Sequence, residues 1–100
     1  MAPRMRGGAN VSNFTARAVH WIGEHKDAPF FLYFAANSIH HPFSPQPRFR
    51  GASQCGLYGD FVQELDWAVG EILRKLDDLK LADNTLVIFT SDNGGLLNDG

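Results

Sequence analysis

Residues 85–95 read TLVIFTSDNGG, a run of apolar side chains that ends abruptly at an acid, an amide and two glycines. A run that is apolar without polar alternation predicts a strand buried on both faces, as in a parallel sheet. Residues 29–36, PFFLYFAA, show the same pattern. Two such strands cannot cover their own faces, so they need further strands and helices around them.

Helical periodicity flanks the first of these strands. Residues 11–26 predict a helix with Ser12 or Asn13 as its N-cap and with one apolar face made by Phe14, Ala18, Trp21 and Ile22. A second helix is predicted from Tyr58 to Lys80, where Glu71 and Lys75 have the spacing of an ion pair on the outer face. Its apolar stripe consists of Phe61, Leu65, Ala68, Val69, Ile72, Leu76 and Leu79.

The order of elements is helix, strand, long proline-containing loop, helix, strand. A strand, a helix and a second strand predict a right-handed βαβ unit with the two strands parallel, and therefore an α/β fold class. Because two doubly buried strands leave the sheet incomplete, residues 13–100 are interpreted as part of a larger α/β domain. Residues 1–12, which contain Pro3, Gly7 and Gly8, are predicted to be a flexible N-terminal segment.

The composition excludes several functional classes. The net charge of −2 and the lack of a basic block argue against a nucleic-acid partner. The chain contains one cysteine, Cys55, so neither an internal disulfide nor a cysteine zinc cluster is predicted. No apolar run has the length of a membrane span, and the N-terminal residues lack the apolar region of a signal peptide.

Polar residues follow both predicted strands. Ligands of open parallel sheets bind outside the carboxyl ends of the strands, where the motifs NSIHHP (37–42) and SDNGG (91–95) would meet. Asp92 and Asn93 offer the hard oxygen ligands that suit Ca²⁺ or Mg²⁺, although taken alone they favour a turn at the end of a strand. His40 and His41 suit acid–base chemistry or oxyanion binding, and equally suit local hydrogen bonding.

Other residues have simpler interpretations. Cys55 has no helix start or cationic neighbour that would lower its pKa, so it is interpreted as a small loop residue. Arg48 and Arg50 either contact an anionic substrate or lie on the surface. Asp60 and Asp66 are predicted to face solvent or to cap the long helix.

Two segments carry a resemblance to a known family. Residues 24–42, EHKDAPFFLYFAANSIHHP, and residues 58–95, YGDFVQELDWAVGEILRKLDDLKLADNTLVIFTSDNGG, resemble the sulfatases, especially the arylsulfatase A-like branch. The likeness runs from about Asn13 to the end of the chain. It implies an alkaline-phosphatase-like α/β/α sandwich, with residues 13–100 as part of its catalytic domain, and an arylsulfatase-like sulfuric ester hydrolase activity.

The resemblance also implies roles for individual residues. Asp92 and Asn93 match paired ligands of a divalent cation, usually Ca²⁺, and His40 matches the histidine of the H-x-P motif. That histidine contacts the sulfate and helps the leaving oxygen depart, by proton donation or hydrogen bonding, whereas His41 falls at the variable position. The implied substrates are small sulfate esters or sulfated glycans and lipids, and the implied compartments are lysosomal, periplasmic or secreted.

The family pattern is incomplete within these 100 residues. No C/S-x-P-S-R segment, the source of the family's formylglycine nucleophile, is present, and Cys55 is followed by Gly56 and Leu57. The paired N-terminal aspartate ligands are also absent, so the rest of the catalytic domain is expected to be missing and this chain to be inactive alone. Two alternatives remain: a phosphate-ester enzyme of the same superfamily, and a non-catalytic truncated product with weak Ca²⁺ affinity and exposed apolar surface.

Overall fold

Two long helices dominate the fold. The computed structural model describes residues 10–95, in which α1 spans Val11–Glu24 and α2 spans Gly56–Asp78. Short 3₁₀ turns lie at Pro47–Phe49 and Ala82–Asn84. Of the helices in this part of the chain, none is both long and apolar enough to cross a bilayer.

Helix α1 is capped one residue before it begins. The Asn10 side chain accepts a hydrogen bond from the Asn13 backbone N–H at 2.9 Å, which satisfies one of the free donors of the first turn. The prediction of Ser12 or Asn13 as the cap is therefore wrong. Val11 and Ser12, which were predicted within the flexible segment, belong to α1, and residues 1–9 of that segment lie outside the described residues.

Helix α2 begins two residues before the predicted start and ends in a Schellman motif. The Lys80 N–H donates to the Asp77 carbonyl at 2.9 Å, and the Leu81 N–H donates to the Leu76 carbonyl at 2.8 Å. Lys80 has φ 59°, the left-handed conformation that glycine usually supplies at this position. These bonds satisfy two carbonyls of the last turn and end the helix at Asp78.

The two helices pack side by side and run parallel. Ser12, in the first turn of α1, donates to Glu64 at 2.8 Å. Near the other end, a Cβ placed on Gly23 would lie 3.4 Å from Lys75 Cε. From the first contact to the second, the position moves toward the C-terminus of α1 and also toward the C-terminus of α2. The two helices are therefore parallel. The apolar residues buried between and around them are Val11, Ala18, Ile22, Phe61, Ala68 and Leu76.

The two apolar segments that were predicted as strands are not paired as strands anywhere in residues 10–95. Residues 85–91 are largely exposed, with Leu86 86%, Ile88 77% and Phe89 70% accessible. The predicted burial on both faces is therefore not found for this segment. A strand satisfies its backbone groups only through a neighbouring strand, and the described residues provide none.

Residues 29–36 are covered on one side only. Phe30, Leu32 and Phe34 are half-buried, whereas Phe31 and Tyr33 are 88% and 81% exposed. This alternation has the period of two that extended chain produces. The covered side lies against α1, where the Trp21 and Phe30 rings meet edge to face with centroids 5.4 Å apart. The prediction of a strand buried on both faces is not confirmed for this segment, because within residues 10–95 only one face is covered.

Candidate active site

The predicted catalytic histidine lies on the exposed loop that follows residues 29–36. The His40 backbone N–H donates to the Asn37 carbonyl at 3.3 Å, which closes a turn. Its Nδ1 atom lies 2.8 Å from the His41 carbonyl oxygen. Because a carbonyl oxygen only accepts hydrogen bonds, Nδ1 carries the proton in this contact. Nε2 is therefore the ring nitrogen available for chemistry.

His41 connects the same loop to α2 through two aromatic contacts. Its ring stacks on Phe43 with centroids 4.3 Å apart. Phe43 in turn meets the edge of Tyr58, in the first turn of α2, at 5.2 Å. Aromatic pairs at these distances and angles stabilise their arrangement beyond the burial of area alone. The loop of residues 37–53, called the histidine loop from here on, thus packs against the N-terminal part of α2.

A buried carboxylate holds the middle of the loop. Glu64 is 1% exposed, and its two oxygens accept from the Ser12 hydroxyl at 2.8 Å and from the Gln46 backbone N–H at 3.1 Å. Charged groups are rarely buried without hydrogen-bond partners, because their desolvation costs free energy. Glu64 therefore ties three parts of the chain together: α1, α2 and the loop.

A second buried carboxylate lies one turn earlier on α2. Asp60, 3% exposed, accepts from the Gly51 N–H at 2.8 Å, from the Ser53 N–H at 2.9 Å and from the Ser53 hydroxyl at 2.7 Å. These bonds, that of Gly51 first and those of Ser53 next, hold the pKa of the Asp60 carboxyl below its usual value. The prediction that Asp60 faces solvent or caps the helix is wrong.

Sequence reasoning missed both carboxylates, although a signal for them exists. Residues 60, 64, 68, 72 and 76 form one row of i,i+4 positions, and the last three of them belong to the predicted apolar stripe. Two acids on a row that is otherwise buried indicate a polar contact across that face. Their partners, Gln46, Gly51 and Ser53, follow no periodic pattern and are known only from the structure.

Arg48 makes contacts within the protein. Its guanidinium lies 4.0 Å above the centroid of Trp67 and 4.4 Å from that of Phe49, and it donates to the Ser12 hydroxyl at 3.2 Å. Cation–π contacts of this kind stabilise a packed arrangement. Arg50 is exposed.

The other predicted site residues, Asp92 and Asn93, are exposed at the end of residues 85–91. The Ser91 hydroxyl donates to the Asn93 carbonyl at 2.6 Å, a contact typical of a tight turn. Within residues 10–95 no three His, Cys, Asp or Glu side chains lie together as a metal-binding group. The assignment of Asp92 and Asn93 as metal ligands stays a prediction.

Cys55 immediately precedes α2 and is exposed with a free thiol. The helix starts earlier than predicted, so the expectation that this cysteine lies away from a helix start is wrong. An open groove of about 400 Å³ lies elsewhere, between α1 and residues 32–35. Its walls include Phe14, Trp21 and Leu32 but none of the predicted site residues. The predicted site residues thus fall on two parts of the chain: the histidine loop, seated on α2, and the tip of residues 85–93.

The arrangement of a histidine loop, a long helix and a strand-like apolar segment ending in SDNGG has a counterpart among known proteins. The sequence model of the sulfatases matches residues 4–100. The chain belongs to the sulfatase family.

Individual relatives agree with this assignment. An N-acetylgalactosamine-6-O-sulfatase of Bacteroides thetaiotaomicron is 50% identical over 86 residues, which are 86% of this chain and 17% of that protein. Human N-acetylgalactosamine-6-sulfatase is 54% identical over 69 residues, which are 69% of this chain and 13% of that protein. Human steryl-sulfatase is 44% identical over 84 residues, 84% of this chain and 14% of that protein.

A solved structure extends the likeness to three dimensions. A sulfatase chain from the glycosaminoglycan metabolism of Bacteroides thetaiotaomicron superposes with a TM-score of 0.85 at 47% identity, over 89% of this chain and 18% of that chain. It has the alkaline-phosphatase-like fold. The chain thus spans less than a fifth of the length of the relatives that it matches.

Proposed function

We propose that this chain contributes part of the catalytic site of a sulfuric ester hydrolase, with His40, Asp92 and Asn93 as its site residues. The observation that carries the proposal is the sulfatase match over residues 4–100, because it includes both the histidine loop and the SDNGG tip. The superposition at TM-score 0.85 supports the same assignment for the backbone that carries them.

The fold proposed for the whole domain is an α/β/α sandwich in which residues 29–36 and 85–91 are parallel strands. Two observations support it. Helices α1 and α2 run parallel, as helices on one face of a parallel sheet do. Both segments also expose large apolar side chains, such as Phe31 and Leu86, that neighbouring strands would cover.

Asp92 and Asn93 are proposed to hold a Ca²⁺ ion. A carboxylate and a carboxamide supply oxygen donors of the kind that Ca²⁺ prefers, and both residues are exposed at the end of their segment. They provide two of the six to eight oxygens that such a site needs, so other segments complete it. When bound, the ion polarises the sulfate oxygens and offsets the charge that develops on them.

His40 is proposed to protonate the leaving oxygen. Its Nδ1–H is engaged by the His41 carbonyl at 2.8 Å, which orients the ring and leaves Nε2 to face the substrate. The step starts from the imidazolium form of His40, with a proton on each ring nitrogen. As a nucleophile supplied by another segment bonds to sulfur and the sulfur–oxygen ester bond breaks, the ester oxygen takes the Nε2 proton and departs as an alcohol. His40 is left as a neutral imidazole with its remaining proton on Nδ1.

A sulfated glycan is proposed as the substrate. The relative that is 50% identical is an N-acetylgalactosamine-6-O-sulfatase, and the superposed structure comes from glycosaminoglycan metabolism. Steroid sulfates are the competing class, because steryl-sulfatase is 44% identical. Comparing turnover of N-acetylgalactosamine-6-sulfate with that of a steroid sulfate decides between them, and a preference for the steroid overturns the glycan assignment.

The activity itself is tested in the enzyme that contains this chain, with 4-nitrophenyl sulfate and 4-nitrophenyl phosphate in the presence of Ca²⁺. Preference for the sulfate is expected, and preference for the phosphate contradicts the proposal. His40→Ala is expected to lower kcat by roughly 10²–10⁴-fold. His20→Ala, an exposed change on α1, serves as the matched control and is expected to leave kcat unchanged.

The 100 residues alone are expected to show no turnover, because they contain no C/S-x-P-S-R segment for the nucleophile. Assaying the isolated chain with Ca²⁺ and an aryl sulfate checks this, and activity there would refute it. Calorimetry of the same chain with Ca²⁺ is expected to show weak binding that Asp92→Ala weakens further. Asp83→Ala, a change in the exposed 3₁₀ turn before the segment, is the control.

A further inference from the structure

We infer that Glu64 is a positioning residue for His40, acting through its hydrogen bond to the Gln46 backbone N–H. This inference rests on the proposed function, since it concerns the presentation of His40 to the substrate. The carboxylate is 1% exposed and sits one turn before the buried apolar residue Ala68 on the same face of α2. An apolar residue would fill that space without the cost of burying a charge. The hydrogen bonds of Glu64 are therefore its contribution.

The bond at Gln46 governs the loop because the chain between Gln46 and His40 is stiff. Pro42 and Pro45 fix two of the backbone torsions between these residues, and Pro45 is buried. The loop has a second support where Phe43 meets Tyr58, at 5.2 Å. We expect a loop restrained by two prolines and held at Phe43 and Gln46 to move as a unit. Release of Gln46 therefore displaces His40.

Glu64 also connects the loop to α1. Its other oxygen accepts from Ser12 at 2.8 Å, and Ser12 receives a hydrogen bond from Arg48 at 3.2 Å. The loop is thereby held against both helices of the packed pair. Asp60 performs the corresponding task one turn earlier, where it holds Gly51 and Ser53 at the far end of the loop. Gln46, the partner of Glu64, is nearer to His40 along the chain than the partners of Asp60 are.

Two substitutions act on the proposed bond from opposite sides. Glu64→Gln replaces the carboxylate by a neutral amide of the same shape, whose single oxygen is a weaker acceptor and does not replace both carboxylate oxygens. Gln46→Pro removes the N–H donor, and Gln46 already has φ −57°, which proline accepts. Glu71→Gln makes the same chemical change as the first variant at a half-buried position of the same helix, where Glu71 pairs with Arg74. It is the matched control.

The readout separates positioning from folding. We expect both loop variants to lower kcat by roughly 10–100-fold with little change in KM, as a misplaced catalytic group does. The loss should be larger for phenyl sulfate than for 4-nitrophenyl sulfate, because the poorer leaving group depends more on a proton from His40. The double variant should lose no more than the worse single variant, since both act on the same bond.

The outcomes are distinguishable from failure of the proposed function. If the unmodified enzyme does not hydrolyse either sulfate ester, the proposed function fails. If it does, and both variants keep the wild-type kcat or lose it equally for both leaving groups, the positioning inference is overturned. Circular dichroism at 222 nm checks that each variant keeps its helices, and Gln46→Pro decides the matter if Glu64→Gln does not fold.

Discussion

Ile22 and Leu86 are both large aliphatic residues, yet the first is 1% exposed and the second 86% exposed. Ile22 lies on α1, whose backbone groups bond within the helix, so that its apolar face can pack directly on α2. Leu86 lies in an apolar segment whose backbone groups need a neighbouring strand. The comparison teaches that local hydrogen bonding, more than apolar content, decides which parts of this chain bury themselves.

The loop between residues 37 and 53 satisfies its backbone N–H groups in a third way. Apart from the 3₁₀ turn at Pro47–Phe49 it has neither a helix nor a strand ladder for its N–H groups. The buried carboxylates of α2 accept from three of these groups: Gln46, Gly51 and Ser53. Side-chain acceptors thus replace secondary structure there. The histidine loop is ordered by the helical pair, whereas the tip that carries Asp92 continues an exposed segment.

Truncating the two aliphatic residues tests the comparison most strongly. Ile22→Ala is expected to lower the free energy of unfolding by roughly 2–5 kcal/mol, because it leaves a cavity in the packed helical pair. Leu86→Ala should change it by no more than about 0.5 kcal/mol. Urea unfolding of the chain, followed by helical circular dichroism, measures both. Equal losses would mean that residues 85–91 are packed as firmly as the helices.

Two glycines of α2 test how closely the loop approaches the helix. A Cβ on Gly59 would lie 2.5 Å from Ser53 Oγ and 2.6 Å from Cys55 Cβ, so Gly59→Ala is expected to cost about 1–3 kcal/mol. Around Gly70 no atom lies within 4 Å of the corresponding position. Gly70→Ala should therefore stabilise the helix by about 0.5–1 kcal/mol.

Urea midpoints measure the change in stability for each variant, and the two changes are expected to have opposite signs. A stabilising Gly59→Ala would show that the segment before α2 does not press against the helix in solution. The pairing of the two variants removes the general effect of helix propensity, because both replace glycine by alanine within one helix.

The helices were predictable because their signal is local. The predicted ranges of residues 11–26 and 58–80 differ from Val11–Glu24 and Gly56–Asp78 by no more than two residues at any end. Periodicity of 3.6 residues identifies the buried face directly, as it did for Ala18, Ile22 and Ala68. The ends were harder to predict, because Asn10 competes with Ser12 as a cap and Lys80 takes a conformation typical of glycine.

The candidate site residues and their supports differ in what the sequence offers. His40, Asp92 and Asn93 follow apolar runs within motifs that resemble the sulfatases, and their roles stay predictions, whereas the contacts of Glu64 and Asp60 depend on residues far away in sequence. Glu64 joins Ser12 and Gln46, which are 52 and 18 positions away. Pairing of the two apolar segments depends likewise on neighbours that the described residues do not supply.

The smallest expected effect concerns Asp60, because it is confined to acid pH. The hydrogen bonds from Gly51 and Ser53 favour the ionised carboxylate and hold its pKa below the ordinary value of 3.8. At acid pH the unfolded chain therefore binds a proton that the folded chain does not. The stabilisation is complete above the ordinary pKa and is lost as the pH falls through the lower pKa of the folded state.

Urea midpoints between pH 7 and pH 2 measure this slope. Asp60→Asn should be less stable than the wild type at pH 7. The difference should narrow as the pH falls below about 4, because Asp60 of the wild type then takes up a proton first in the unfolded state and, at lower pH, also in the folded state. Asp66→Asn, an exposed change on the same helix, should keep the wild-type slope. A constant difference between Asp60→Asn and wild type at every pH would mean that the loop does not depend on the charge of Asp60. The contrast between the loop held by carboxylates and the unsupported apolar segments would then rest on Glu64 alone.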